Sequence, residues 1–138
     1  MGALRCHLLI GPPASGKTTL AGLMAPMLEA ELLSTDRIRE QLYGDPMIQG
    51  HWSEVEECLH QAIADCVSQE RSVLIDATHA RRPWRLALSQ RLELEHPVEW
   101  IGWWLRTPRA VCLEWNHRRE HRPLIRDCSQ RCRKLWRS

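Results

Sequence analysis

The stretch "LLIGPPASGKTTLAG", Leu8–Gly22, decides how the rest of the chain is read. An apolar run stops at Gly11, and five small or rigid residues follow. Then come Lys17, one of only two lysines in 138 residues, and the hydroxyls of Thr18 and Thr19. Gly11, Pro12, Pro13, Ala14, Ser15, Gly16, Lys17 and Thr18 fill every fixed position of G-x-x-x-x-G-K-[ST]. Glycines at the two ends allow dihedrals that turn successive backbone N–H groups toward one anion. A helix opening at Lys17 adds its free N–H groups and positive dipole end to the same point. The stretch therefore predicts a strand, a phosphate cradle and a helix. Lys17 is expected at the β- and γ-phosphates of a nucleotide and Thr18 at Mg²⁺, with Thr19 completing the cofactor-binding set.

Outward from this point the chain alternates strand and helix. Leu4–Ile10 reads as a buried strand, Lys17–Leu28 as a helix weakened late by Pro26, and Glu31–Ser34 as a short second strand. Asp36–Tyr43 reads as a helix closed by the "YGDP" turn. Ser53–Glu70 is the clearest helix: Ser53 is placed to cap it, Glu54, Glu56 and Glu57 favour its N-terminus, and Val55, Leu59, Ala62, Ile63 and Cys66 share a face. Ser72–Asp76 is a continuous apolar strand ending in a carboxylate. A helix over Pro83–Glu95, a buried strand over Val98–Leu105, a helix over Pro108–Arg119 and a helical tail over Pro123–Trp136 complete the pattern. The expectation is one α/β domain over residues 1–138, with a parallel sheet of four, at most five, strands.

Composition fits a globular chain: 43% hydrophobic and 26% charged, with no apolar run of membrane-spanning length. "HLLI" is too short for a secretory signal, so the expected location is cytoplasmic and the six cysteines are read as reduced thiols. The overall charge of +2 is uneven: residues 1–80 carry 5 Lys/Arg against 11 Asp/Glu, and residues 81–138 carry 14 against 6. A basic C-terminal half suits a polyanionic partner, ATP or nucleic acid, and equally suits a solvated arginine-rich surface.

Three stretches bear on what receives the phosphate. In "STDRIRE", Ser34–Glu40, Asp36 and Arg39 share a helix face just after the second strand. A carboxylate there can take the proton of an attacking hydroxyl while the arginine holds an anionic acceptor group. An N-capping aspartate with a surface arginine has the same spacing. In "VLIDATH", Val73–His79, Asp76 stands where a strand-end acid holds Mg²⁺ through water or touches the acceptor, or caps a turn. In "EWNHRREHR", Glu114–Arg122, Arg118, Arg119 and Arg122 suit a lid that neutralises a triphosphate.

Taken together, "GPPASGKT", "TDRIR", "VLIDATH" and "RTPRAVCLEWNHRR" resemble, in order and spacing, the P-loop kinases similar to polynucleotide 5′-hydroxyl kinase. AAA-type ATP-binding and zeta-toxin-like small kinases are among that family's relatives. The resemblance runs over roughly Leu4–Arg126. It implies an ATP/Mg²⁺ phosphotransferase in which Asp36 is the general base, Arg39 the acceptor clamp, Asp76 the strand-end acid and Arg119 a lid arginine. The chain departs from the family's R-N-x-x-R lid at Trp115, whose face cannot clamp phosphate but can stack on adenine. It also carries His79 where the family has asparagine, and it ends soon after the lid. The expected reaction moves a γ-phosphoryl group to a hydroxyl, foremost a nucleic-acid 5′-hydroxyl. A kinase of a sugar, nucleoside or antibiotic and a non-catalytic ATP-binding switch are the alternatives, and a base at Asp36 argues against the switch.

Two further features stand apart. His117 with His121, and Cys128 with Cys132, have the i,i+4 spacing of a zinc site and also that of surface histidines and core thiols. Of seven tryptophans, Trp100, Trp103 and Trp104 are expected to pack inside a strand, while Trp52, Trp84 and Trp115 lie near loops where a base can stack.

Overall fold

The computed structural model describes residues 3–11, 16–46, 48, 50–77 and 82–117. Four strands, β1 (Leu4–Ile10), β2 (Ala30–Ser34), β3 (Ser72–Asp76) and β4 (Val98–Trp104), form one parallel sheet in the order β2-β3-β1-β4. The helices among them are α1 (Lys17–Met27), α2 (Thr35–Tyr43), α3 (Trp52–Ser68), α4 (Arg82–Leu86) and α5 (Arg109–His117). Parallel neighbours need crossovers, which is why helices cover both faces of the two inner strands.

Strand alternation divides the core in two. Cys6 and Leu8 of β1 and Val73 and Ile75 of β3 point to one face, where Val55, Leu59, Ile63, Cys66 and Val67 of α3 meet them. Leu9 and Leu74 point to the other face and pack on Ala21 and Ala25 of α1. The small side chains of α1 let it lie close over the sheet, and this closeness fixes where its N-terminus sits. Cys6, Cys66 and Cys112 are buried and Cys58 half-buried, all as free thiols. Burial pushes the Cys6 thiol up to about 12, so it behaves as a small apolar side chain.

Three expectations are corrected. The helix expected from Ser53 begins one residue earlier: His51 occupies the cap position with no side-chain capping bond. Trp52 is drawn into the first turn because its indole Nε1–H donates to Glu56 Oε2 at 2.6 Å and its ring packs on Trp84, centroids 4.8 Å apart. The helix expected over Pro83–Glu95 is α4 followed by a wide π turn, Ala87–Arg91, and it ends there. That turn carries Leu88 into the core, with Leu92 packed beside it. β4 is an edge strand rather than a buried one, leaving Trp103 at 40% and Trp104 at 56% exposure. The sheet has four strands among the described residues. The expected tail helix, Pro123–Trp136, and the pairs formed with His121, Cys128 and Cys132 lie outside those residues.

β4 is tied to the core by a polar contact on the α1 face. Trp103 Nε1–H donates to His7 Nδ1 at 3.1 Å, and the two rings stack at 6.2 Å. His7 is 2% exposed. Burial, reinforced by the Arg5 charge and opposed by Glu99, holds its imidazole below the ordinary value. Nδ1 accepts only in the neutral ring, so the native state resists protonation that the unfolded chain accepts freely below pH about 6.5. The stability from His7 is therefore complete above that pH and is lost as pH falls toward the native pKa. Urea unfolding between pH 7.5 and 5.5 should show a steeper loss for the natural chain than for His7→Leu. The difference in slope should approach about 1.4 kcal/mol per pH unit.

Candidate active site

The carboxyl ends of the strands build the site, as expected for an open parallel sheet. Ile10 leads into Gly11, Ser34 leads into α2, and Asp76 closes β3. Register places Ser34 and Leu9 on either side of Asp76 in one row across the sheet. By alternation this row faces the α1 side, the side to which Leu74 points. Asp76 is buried and engaged in contacts there. The sequence reading does not single out Ser34; its place in this row is a matter of strand register, and no local motif carries it.

α1 begins at Gly16, which has φ 93° and ψ 10°, a left-handed conformation open to glycine at little cost. No side chain caps the helix and no acidic residue occupies its first turn. Its positive end is thus uncompensated by carboxylates of its own, the electrostatic condition for holding an anion. Lys17 is only 6% exposed, and its Nζ donates to the Gly11 carbonyl at 2.8 Å. This bond joins the first residue of α1 to the residue that follows β1. Thr18 and Thr19 are exposed on the first turn. Pro12, Pro13, Ala14 and Ser15 lie outside the described residues.

Asp36 and Arg39 stand together on α2, Oδ1 to Nη1 at 3.5 Å. Asp36 is the second residue of the helix, and Ser34, in extended conformation, holds the cap position. Asp36 is therefore not the N-cap. Nor is Arg39 a surface arginine, since its side chain is mostly enclosed. The pair is an internal i,i+3 salt bridge at the start of α2, the helix that follows the carboxyl end of β2.

α5 starts on Pro108, whose carbonyl accepts from the N–H groups of Val111 and Cys112. The Leu105 N–H donates to the Ile10 carbonyl at 2.8 Å, and Cys112 is buried, so both the entry and the body of this helix are fixed to the core. Its Trp115 lies against the phosphate loop: a methyl placed on Gly16 would stand 3.4 Å from Trp115 Cζ3. Arg118, Arg119 and Arg122 lie outside the described residues. No group of three or more His, Cys, Asp or Glu side chains among the described residues is arranged to hold a metal. No described helix is long and apolar enough to cross a membrane.

A parallel sheet that delivers a G-x-x-x-x-G-K-T loop to a helix N-terminus, with a carboxylate on the neighbouring strand end, defines an α/β P-loop kinase-like domain. The chain belongs to the AAA domain family AAA_33, which matches residues 6–132. No curated protein sequence matches it. Among solved structures it is similar to a protein from Chloroflexus aurantiacus described as a kinase, at 23% identity and TM-score 0.73, covering 86% of this chain and 68% of that one. It is similar to shikimate kinase from Acinetobacter baumannii at 25% identity and TM-score 0.62, covering 97% and 75%. A chain of the Pnkp1/Rnl/Hen1 RNA repair complex matches at 14% identity and TM-score 0.72, covering 99% of this chain and 46% of that one.

The two glycines of α1 and its cap should respond in opposite directions to alanine. Gly16→Ala forces a Cβ into a left-handed backbone and should cost about 1–2 kcal/mol in chemical denaturation. Gly22 lies inside the helix with nothing within 4 Å of a new Cβ. Gly22→Ala should raise stability by up to about 1 kcal/mol in the same experiment.

Proposed function

We propose that the protein is an ATP-dependent phosphotransferase that moves the γ-phosphoryl group to a hydroxyl acceptor, foremost a nucleic-acid 5′-hydroxyl. The observation that carries this reading is the Asp36–Arg39 pair, which opens the helix beside the strand end that holds Asp76. A nucleotide switch has no use for an acid and an enclosed cation in that position. Phosphoryl transfer needs little from the protein beyond positioning and charge.

In this reading the loop from Gly11 to Gly16 and the Lys17 amine hold the donor phosphates, and Thr19 adds a hydroxyl on the same turn. The amine exchanges its Gly11 carbonyl for phosphate oxygen at small cost, because both are oxygen acceptors. Asp36 takes the proton as the acceptor oxygen bonds to the γ-phosphorus and the bond to the β,γ-bridging oxygen breaks, leaving ADP. Arg39 holds an anionic group of the acceptor, and Arg118, Arg119 and Arg122 supply lid charge. The exposed Thr18 hydroxyl and the buried Asp76 carboxylate are hard oxygen donors on one side of the sheet, a set that fits Mg²⁺. When bound, Mg²⁺ neutralises charge on the transferring group.

The four motifs, "TDRIR" and "VLIDATH" above all, favour the nucleic-acid acceptor, and the basic second half of the chain supports it. A small hydroxylated metabolite is the second reading, favoured by the 25% identity to shikimate kinase over 97% of this chain. Incubation with labelled ATP and, separately, 5′-hydroxyl oligonucleotides, nucleosides, sugars and shikimate tests both. Label on the oligonucleotide is the expected result. Label on a small acceptor alone sinks the polynucleotide assignment, and label on none sinks the transferase. Asp36→Asn should lower kcat by about 10²–10⁴-fold while leaving ATP affinity within a few-fold. Lys17→Ala should instead weaken ATP binding itself. Near-normal kcat in Asp36→Asn would remove it as the base.

A further inference from the structure

Three exposed aromatic side chains stand among the described residues: Trp103, Trp104 and Trp115. Trp103 is committed to His7 through its indole N–H. Trp104 carries the Arg106 guanidinium 5.5 Å from its ring centroid. Trp115 is different. Its ring edge lies against Gly16, the residue that opens the phosphate-binding helix, yet the residue keeps 41% exposure. Helix α5 is held at its start by the Pro108 carbonyl and in its middle by the buried Cys112, so this placement belongs to the fold.

We propose that Trp115 is the platform on which the base of the donor nucleotide stacks, and that it selects purine over pyrimidine nucleoside triphosphates without separating ATP from GTP. The proposal rests on the reading of Gly11–Thr18 as a nucleoside triphosphate site. Phosphates at the α1 N-terminus bring the nucleoside toward Gly16, and among the described residues Trp115 presents an apolar surface there. Indole offers one N–H donor and no acceptor, so its face cannot read the edges by which adenine and guanine differ. Stacking instead rewards ring area, which is larger in the fused purines than in the single-ring pyrimidines. This differs from a lid cation at the same position, which would bind through phosphate charge. Loss of one base stack lowers affinity by roughly 5- to 150-fold.

The test compares binding of ATP, GTP, CTP and inorganic tripolyphosphate by calorimetry to the full chain and to Trp115→Ala and Trp115→Phe. The natural chain should bind ATP and GTP within a few-fold of each other and CTP more weakly. Trp115→Ala should lose roughly 5- to 150-fold for both purine nucleotides while tripolyphosphate stays within two-fold. Trp115→Phe keeps a ring against Gly16 and should regain most of the loss. Equal loss for tripolyphosphate and ATP overturns the proposal, because Trp115 then only props the loop. Unchanged ATP affinity in Trp115→Ala, or a preference between ATP and GTP beyond ten-fold in the natural chain, also overturns it. Binding is read without any transfer, so a failed phosphotransferase assay leaves this result standing. A natural chain that binds neither ATP nor tripolyphosphate overturns the phosphate-site reading and the platform together.

Discussion

A buried ammonium held against a backbone carbonyl organises this molecule. Taking a lysine amine out of water costs several kcal/mol unless acceptors replace the lost hydration. Lys17 meets that demand at the Gly11 carbonyl, across the mouth of its own loop. Closing the loop in this way requires the chain to turn back on itself between β1 and α1, and Gly16 supplies the left-handed step that starts the helix. The direction of α1 follows from that step. So does the need for small residues at Ala21 and Ala25, since a helix launched so close to the end of β1 must lie close to the sheet.

From that launch the rest of the site is a matter of register. β1 and β3 are neighbours although α1, β2, α2 and α3 separate them in sequence, so the Gly11 loop and Asp76 share a sheet edge. β2 stands on the far side of β3 and delivers α2, with Asp36 in its first turn and Arg39 one turn on. The acid near the α2 N-terminus is favoured by the helix dipole, and Arg39 offsets its charge from within the same helix. These contacts stabilise α2 in its own right. The same pair stands at the carboxyl end of the sheet, where the Gly11 loop also opens, and the proposed reaction would use it there without a rebuilt helix.

Legibility in the sequence follows the range of the interaction. β3 could be read residue by residue because a strand covered on both faces writes a continuous apolar run, and the Leu8–Ile10 end of β1 carries the same signal. The phosphate loop was legible because backbone geometry at Gly16 and side-chain chemistry at Lys17 are local requirements. β4 was misjudged for a reason no local pattern contains: "VEWIGWW" is as apolar as an inner strand, and only the strand order makes it an edge. Ser53 has the right chemistry for a cap, and Trp52 displaced it through a contact with Trp84, a partner 32 positions away. The spacing of Asp36 and Arg39 announced their pairing, while the enclosure of Arg39, which separates it from an ordinary surface residue, came from packing.

The contact between Trp115 and Gly16 belongs to the same long-range class, and it changes how charge is shared around the site. A cation on α5 at that point would stand next to the positive helix end and the Lys17 amine, adding repulsion wherever no anion is bound. An indole there adds none. It packs beside Gly16, and among the described residues the candidate cations of the site are Lys17 and Arg39. On the proposed reading base stacking is separated from charge neutralisation: the former rests on a helix anchored by Pro108 and Cys112, the latter on Lys17, held at the Gly11 carbonyl, and Arg39, paired with Asp36. On the proposed stacking role, the anchored face of α5 sets which nucleotide lies in the cradle. In that reading the cations already in place at Lys17 and Arg39 meet the charge that develops as the phosphoryl group is transferred.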